Sequence, residues 1–324
     1  MPQIAPADKI RDVVFGTALT ISLFVITLQS PFFGFVCTVG IPLPTLYYRI
    51  KLGRRTGSLV PVTALASLML LLGGVSVDSL YFFELVFTGF VLGELFERNL
   101  TVEKTLILTS AAVTVAGLCV LFVFSRAVGT DVVSLVAGTI KTNIESTVAL
   151  YESMGVSEDT IRLITDSTDR IVYVLVRIMP AMSVAFALFV AWASLLLARP
   201  LLKRRNLYYP EFGRLNRWRA PDALVWPVIG CGGMLLIPET GVKLVGVNGL
   251  LMLMTVYFFQ GIAIVSYYFD KKRFPRALRV FLYALIALQQ MVLLAVIGLG
   301  FFDVWINFRK LGVVNNEGDT NGNN

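Results

Sequence analysis

The chain has 324 residues, of which 56% are hydrophobic and 15% charged, with a mean hydropathy of +0.76 and a formal net charge of +7. Water-soluble globular chains carry about a quarter charged residues, so this composition excludes an ordinary soluble domain and points to a chain dissolved in lipid. There is no histidine, and Cys37, Cys119 and Cys231 lie in apolar runs without CxxC spacing. That removes a disulfide frame, a zinc ligand set and any Ser-His catalytic arrangement, so no metal and no cofactor is expected.

Apolar runs of roughly 20 residues, enough to cross about 30 Å of hydrocarbon as a helix, recur along the chain. They are continuous rather than alternating, which favours helices over a barrel. The expectation is an all-α polytopic membrane protein, a bundle of about nine spans near residues 10–30, 31–48, 57–76, 78–97, 103–126, 168–198, 222–239, 246–269 and 279–302. Asp8, Lys9, Arg11 and Asp12 precede the first run and no cleavage site leads into a soluble mature domain, so that run reads as a span rather than a signal. With the N-terminus cytoplasmic, the connections "RIKLGRR", "RPLLKRRNLYYPEFGRLNRWRAPD" and "DKKRFPRALR" all fall inside, and the acidic stretch 127–170 falls outside. This satisfies the positive-inside rule, makes the net charge topological and argues against nucleic acid as a partner. The composition places the chain in a membrane as a multi-pass protein.

In the second run, "GIPLPTLYYRIKLGRR" sets Pro42 and Pro44 before Tyr47, Tyr48, Arg49, Lys51, Arg54 and Arg55. The prolines remove two amide donors and free carbonyls near Gly40, a helix break compatible with a plain stop or with a carbonyl-lined site. The tyrosines fit an aromatic belt, and the four cations are expected at the cytoplasmic headgroups. In the fourth run Glu84 lies near mid-span, and Gly89 and Gly93 form a GxxxG packing face. Glu94 and Glu97 at its inner end are expected to face water or headgroups.

Between Asp131 and Met154, Val132, Val133, Val136, Ile140, Ile144, Val148, Tyr151 and Met154 recur at three- and four-residue spacing. This predicts an external amphipathic helix, lying at the interface or capping the bundle, followed by a helix that begins near Ser157 and continues into the sixth span. In that span Arg177 precedes a third break candidate, Pro180, and Ser183, Ala187 and Ala191 form a small-residue stripe. Further on, Gln260, Gln289 and Gln290 carry amides into apolar surroundings. The C-terminal "NNEGDTNGNN" has no apolar content to bury, and 311–324 reads as a disordered tail.

Ionisable and amide groups at membrane depth are functional candidates by default. Glu84, Arg177, Gln260, Gln289 and Gln290 are therefore the candidate ligand-binding residues, with a Glu84–Arg177 ion pair equally compatible with a structural role. No catalytic residue is identified: HExxH, GxSxG, a phosphate loop and an intramembrane aspartate pair are all missing, so an enzyme is not expected.

The segments "GIPLPTLYYRIKLG", "GFVLGELFERN", Arg177-Ile178-Met179-Pro180, "FGRLNRWRAPDALVW", "YFFQGIAIVSYYFDK" and "GLGFFDVWINFRK", in this order, resemble the YybS-like family of predicted bacterial membrane proteins of unknown function. That family is distantly similar to the substrate-binding S-components of energy-coupling-factor transporters and to the rod-shape membrane protein MreD. The resemblance implies a small-molecule-binding or transport-related module; the alternative is a non-transporting scaffold of an envelope or morphogenesis complex. An S-component-like module would dock on a coupling subunit through small residues of its first span, here Gly16, Ala18, Thr20 and Ser22. The expected organisation is a five-span half at 1–126, the external segment at 127–167, a four-span half at 168–310 and the tail. The expected partners are the bilayer, a small-molecule ligand and a membrane protein or a second copy of the chain.

Overall fold

The computed structural model describes residues 6–29 and 31–309, which are helical almost throughout and contain no strand. The tail 311–324 lies outside the described residues. In chain order the helices are α1 (Pro6–Gln29), α2 (Pro31–Gly40), α3 (Pro42–Gly57), α4 (Leu59–Leu71), α5 (Val77–Phe96), α6 (Val102–Val128), α7 (Val132–Ser153), α8 (Glu158–Arg204), α9 (Val225–Met234), α10 (Thr240–Lys271), α11 (Arg276–Leu288) and α12 (Gln290–Ile306).

Five of them, α1, α5, α6, α8 and α10, are long and apolar enough to cross a membrane; α11 and α12, bent by 100° at their junction, make a sixth if taken as one. Four of the nine apolar runs are thus not single long helices. The run at 31–48 divides at Ile41, those at 57–76 and 222–239 hold the short α4 and α9, and the run at 279–302 bends at Gln289, whose backbone is extended (φ −102°, ψ 108°). Hydropathy registers apolar content, not whether 18 residues stay in one cylinder.

Helix starts follow local chemistry. Ser76 and Ser79 form a reciprocal capping box at α5, Thr101 caps α6, and Asp131 Oδ1 accepts from the Ser134 amide at 3.0 Å to start α7. Gly129, at φ 79°, closes α6 in the left-handed conformation that glycine adopts without strain. α8 begins after Ser157 and runs unbroken for 47 residues, about 70 Å at 1.5 Å per residue, so it is longer than the hydrocarbon is thick. It passes through Pro180 without the expected break. The missing amide frees only the carbonyl one turn back, a loss that a long helix packed against neighbours absorbs.

The contacts divide the chain into two compact units, one up to Glu211 and one from Phe212. The division falls in the basic connector after α8. In the first unit α1 packs on α2, α3 and α4, α3 on α5, α5 on α6, and α6 and α7 on α8. Its core gathers Phe24, Ile41, Ala64, Leu68, Phe82, Leu85, Val86 and Val190. The alternative to this burial is lipid, not water, so the gain comes from close packing rather than from the hydrophobic effect.

The GxxxG face works in that way. A Cβ on Gly89 would overlap the Pro42 carbonyl, and one on Gly93 would lie 2.6 Å from Arg49 Cγ, so the two glycines let α5 lie directly on α3. The cations at the end of α3 are not all at headgroups, as the sequence suggested. Arg49 is 0% exposed, with Nε 2.7 Å from Glu94 Oε1 and its two terminal nitrogens each 3.0 Å from an oxygen of Glu97. Glu94 and Glu97 therefore do not simply face water. A guanidinium at an interface between helices must bring its counter-charges along, and α5 supplies them one turn apart. Nearby, Lys51 reaches Asp12 at 2.7 Å, tying α3 to α1.

In the second unit α10 packs on α9 and α12, and α11 on α12. Gly261 of α10 sits against the Val296 carbonyl and Gly300 of α12 against the Tyr257 carbonyl, a reciprocal close approach that a Cβ on either glycine would block.

Candidate functional site

Four helices of the first unit leave a cavity of about 240 Å³ between them. α7 roofs it with Leu135, Val136, Thr139, Ile140 and Asn143, while α8 contributes Met179 and Ser183. α5 supplies Tyr81 and Glu84, and α6 supplies Gly117 with two apolar neighbours. The amphipathic stripe of α7 thus has one buried edge, at Ile140, while Val133 and Met154 near its ends stay 61% and 69% exposed.

Glu84 lies seven residues into α5, about 10 Å below the start of the helix. Its Oε1 occupies the space that a Cβ on Gly117 would need, so the absence of a side chain on α6 makes room for the carboxylate. The side chain is half-buried, and among the described residues no hydrogen bond or ion pair reaches its carboxylate. The other polar groups of the wall are partly committed. Tyr81 donates its hydroxyl to Thr38 Oγ1 at 3.2 Å, and Thr139 donates to the Leu135 carbonyl at 3.0 Å.

The remaining candidates are elsewhere. Arg177 is on an exposed face of α8, donating to the Tyr173 carbonyl at 3.1 Å with its guanidinium 3.3 Å from the centre of the Tyr173 ring. It does not line the cavity, and at about 100° per residue it points away from Met179, which does. Ser183 lines the cavity, and Ala187 and Ala191, one and two turns on, are buried within the bundle.

Gln260, in the second unit, is fully buried and holds structure together. Its Oε1 accepts from the Ala220 amide at 3.2 Å and its Nε2 donates to Asp303 at 3.1 Å. Asp303 also accepts from Arg309 at 2.9 Å, and Arg309 donates to the carbonyls of Asn216 and Trp218 at 3.1 and 2.8 Å. This network pins the segment "LNRWRA" to α10 and α12. Gln289 and Gln290 are exposed at the α11–α12 bend, 13 residues or about 20 Å along α12 from Asp303. They do not join Gln260 in one polar cavity.

Sequence reasoning missed the two buried arginines with their acids, Arg49 and Arg309, because their partners are fixed only by the fold. It also missed Gly117, which a lone glycine in an apolar run does not signal.

A family model described as a predicted membrane protein (DUF2232) matches residues 18–304. The chain belongs to that family. Glu84, Gly117 and the whole of α7 fall inside the match, as do Asp303 and Gln260, while Arg309 lies just beyond it. Among curated proteins, the chain is 23% identical over 304 residues to the uncharacterized protein YybS of Bacillus subtilis, covering 90% of this chain and 96% of the relative. No solved structure matches.

Proposed function

We propose that this DUF2232 protein is a membrane-embedded binding module that holds a small solute in the cavity roofed by α7. One observation carries the reading: a carboxylate sits in a largely apolar cavity and takes no partner among the described residues. An ionised group at such a place costs several kcal/mol unless it is paired or hydrogen-bonded, so a site built to leave it unpaired reserves it for something that comes and goes. The proposed topology has a cytoplasmic N-terminus and an external α7 in a bacterial cytoplasmic membrane, with α2–α3, α4 and α9 completing nine passes. α7 then closes the outer mouth of the cavity, the side from which an S-component-like module takes its solute.

The test is purification from native membranes in a mild detergent, with small molecules released by denaturation and identified by mass spectrometry. The reading expects a stoichiometric solute in the wild type that is missing from Val136→Phe, a variant that fills the cavity. Preparations of both that are equally devoid of solute, and whose melting responds to no added solute, would sink it.

A second reading, a scaffold in an envelope assembly, has one observation in its favour: Ala18 and Ser22, a small-xxx-small pair, stay exposed on α1. The other faces it would use are occupied within the chain. Gly89 and Gly93 pack on α3, Gly16 on Tyr48, and Ala187 and Ala191 are buried.

A further inference from the structure

We infer that the solute is a small organic monocation, a primary amine or other ammonium group carried on a short apolar body. The inference rests on the cavity being a binding site and specifies what it binds. Among the residues lining it, Glu84 is the sole charged one, so the wall carries one negative charge and no cation to offset it. A carboxylate ligand or phosphate would meet like charge there and find no guanidinium or ammonium to receive it.

The hydrogen-bonding sense agrees with the charge. The Glu84 carboxylate only accepts, and the hydroxyl protons of Tyr81 and Thr139 are already given to Thr38 Oγ1 and the Leu135 carbonyl. What these three groups present to a ligand is lone pairs. An ammonium brings three donors and no acceptor and so complements these three groups, while Asn143 and Ser183, also in the wall, can donate or accept. The aromatic rings of Tyr81 and Phe83 border the same space.

The rest of the wall selects the body of the ligand. Leu80, Val120, Leu121, Leu135, Val136 and Met179 are apolar, so they suit an apolar body, and a metal ion would trade its hydration shell for one carboxylate and a few neutral oxygens. Among the described residues no group of three or more potential metal-binding side chains exists. The cavity, about 240 Å³, lies just below the ~300–1,000 Å³ of ordinary ligand pockets, which favours a small solute.

The test uses the full-length protein in mild detergent, freed of bound solute, and reads affinity by calorimetric titration and by the shift in melting. The probes are matched sets of alkyl and arylalkyl amines, alcohols and carboxylates, among them 2-phenylethylamine, 2-phenylethanol and phenylacetate. The expected result is saturable binding of at least one amine, at least tenfold weaker binding of its alcohol and none of its acid. Glu84→Gln should lower the amine's affinity at least tenfold and leave the alcohol's unchanged, and Val136→Phe should abolish both. Equal binding of amine and alcohol, or an amine affinity indifferent to Glu84→Gln, overturns the charge class while Val136→Phe still vindicates the cavity. Binding of the acid alone overturns the class as well. If no probe binds the wild type, or if binding survives Val136→Phe, both the class and the site are wrong.

Discussion

Helix α5 carries three glutamates, and the two ends of that helix treat them in opposite ways. At the C-terminal end Glu94 and Glu97 close on Arg49, a fully buried guanidinium, with three contacts of 2.7 to 3.0 Å. Ten residues earlier, Glu84 looks into a cavity and is met by no donor among the described residues. Both ends also use a glycine to admit a charged side chain: Gly93 makes room for Arg49 and Gly117 for Glu84. The contrast separates charges that hold the bundle together from a charge that the bundle leaves available. A satisfied pair can be lost only at the expense of the fold, whereas an unsatisfied carboxylate is a liability that stability alone gives no reason to keep.

The Arg49 cluster gives the largest expected effect. Arg49→Leu leaves Glu94, 19% exposed, with only the exposed Arg54, 3.5 Å away, as counter-charge and should destabilise the first unit by up to about 3 kcal/mol. Glu97, 54% exposed, adds little to that loss because water screens it. Melting in detergent and abundance in the membrane would both fall. Converting Glu94 and Glu97 to Gln in the same protein should recover most of the stability, and a triple variant as unstable as the single one would show that packing, not charge, is at stake.

The two glycines sharpen the comparison. Gly93→Ala pushes a methyl against an Arg49 stem that two carboxylates hold in place, so strain of about 1–3 kcal/mol outweighs the ~1 kcal/mol that alanine gains in a helix. Gly117→Ala meets only the tip of a carboxylate that can swing into the cavity. It should melt within about 1 kcal/mol of wild type, helped by the same helix preference, and yet bind solute more weakly. Equal melting losses in the two variants would mean that Glu84 is as firmly fixed as Arg49.

The smallest effect belongs to the roof. Asp131 caps α7, and its hydrogen bonds from the Ser134 side chain and backbone hold its carboxyl below the usual carboxylate range. A group whose folded value is depressed stabilises above its unfolded value and loses that contribution as pH falls through the folded one. Asp131→Ala should therefore fray the start of α7 slightly at neutral pH, seen as faster amide exchange at residues 132–136. The gap to wild type should close below pH about 4.

Much of the helical layout was legible because it is periodic and local. The α7 stripe, the start of α8 after Ser157 and the GxxxG face of α5 each repeat at helical spacing or carry a cap. Glu84 stood out as an acid at mid-run. The helix breaks were legible only where a proline caused them and not always then: the chain changes direction at Gln289, where nothing in the local sequence marks a bend, and continues through Pro180. The least legible features were pairings between distant residues. Arg49 and Glu94 are 45 positions apart, and a basic loop after an apolar run reads as a headgroup anchor unless the helix carrying its acids is known to lie alongside. Gln260 and Arg177 were singled out for being polar in apolar surroundings, but that property does not distinguish a bridge to Asp303, or a perch on Tyr173, from a ligand contact.

The central claim is that Glu84 is kept for a ligand and not for the fold, and melting of Glu84→Gln beside Glu94→Gln, both in solute-free detergent, tests it most directly. The account predicts that Glu84→Gln melts at or above the wild-type temperature, since a neutral amide costs less than an unpaired carboxylate in the same cavity, while Glu94→Gln melts well below it. A drop for Glu84→Gln as large as that for Glu94→Gln would contradict the account and make Glu84 a structural residue.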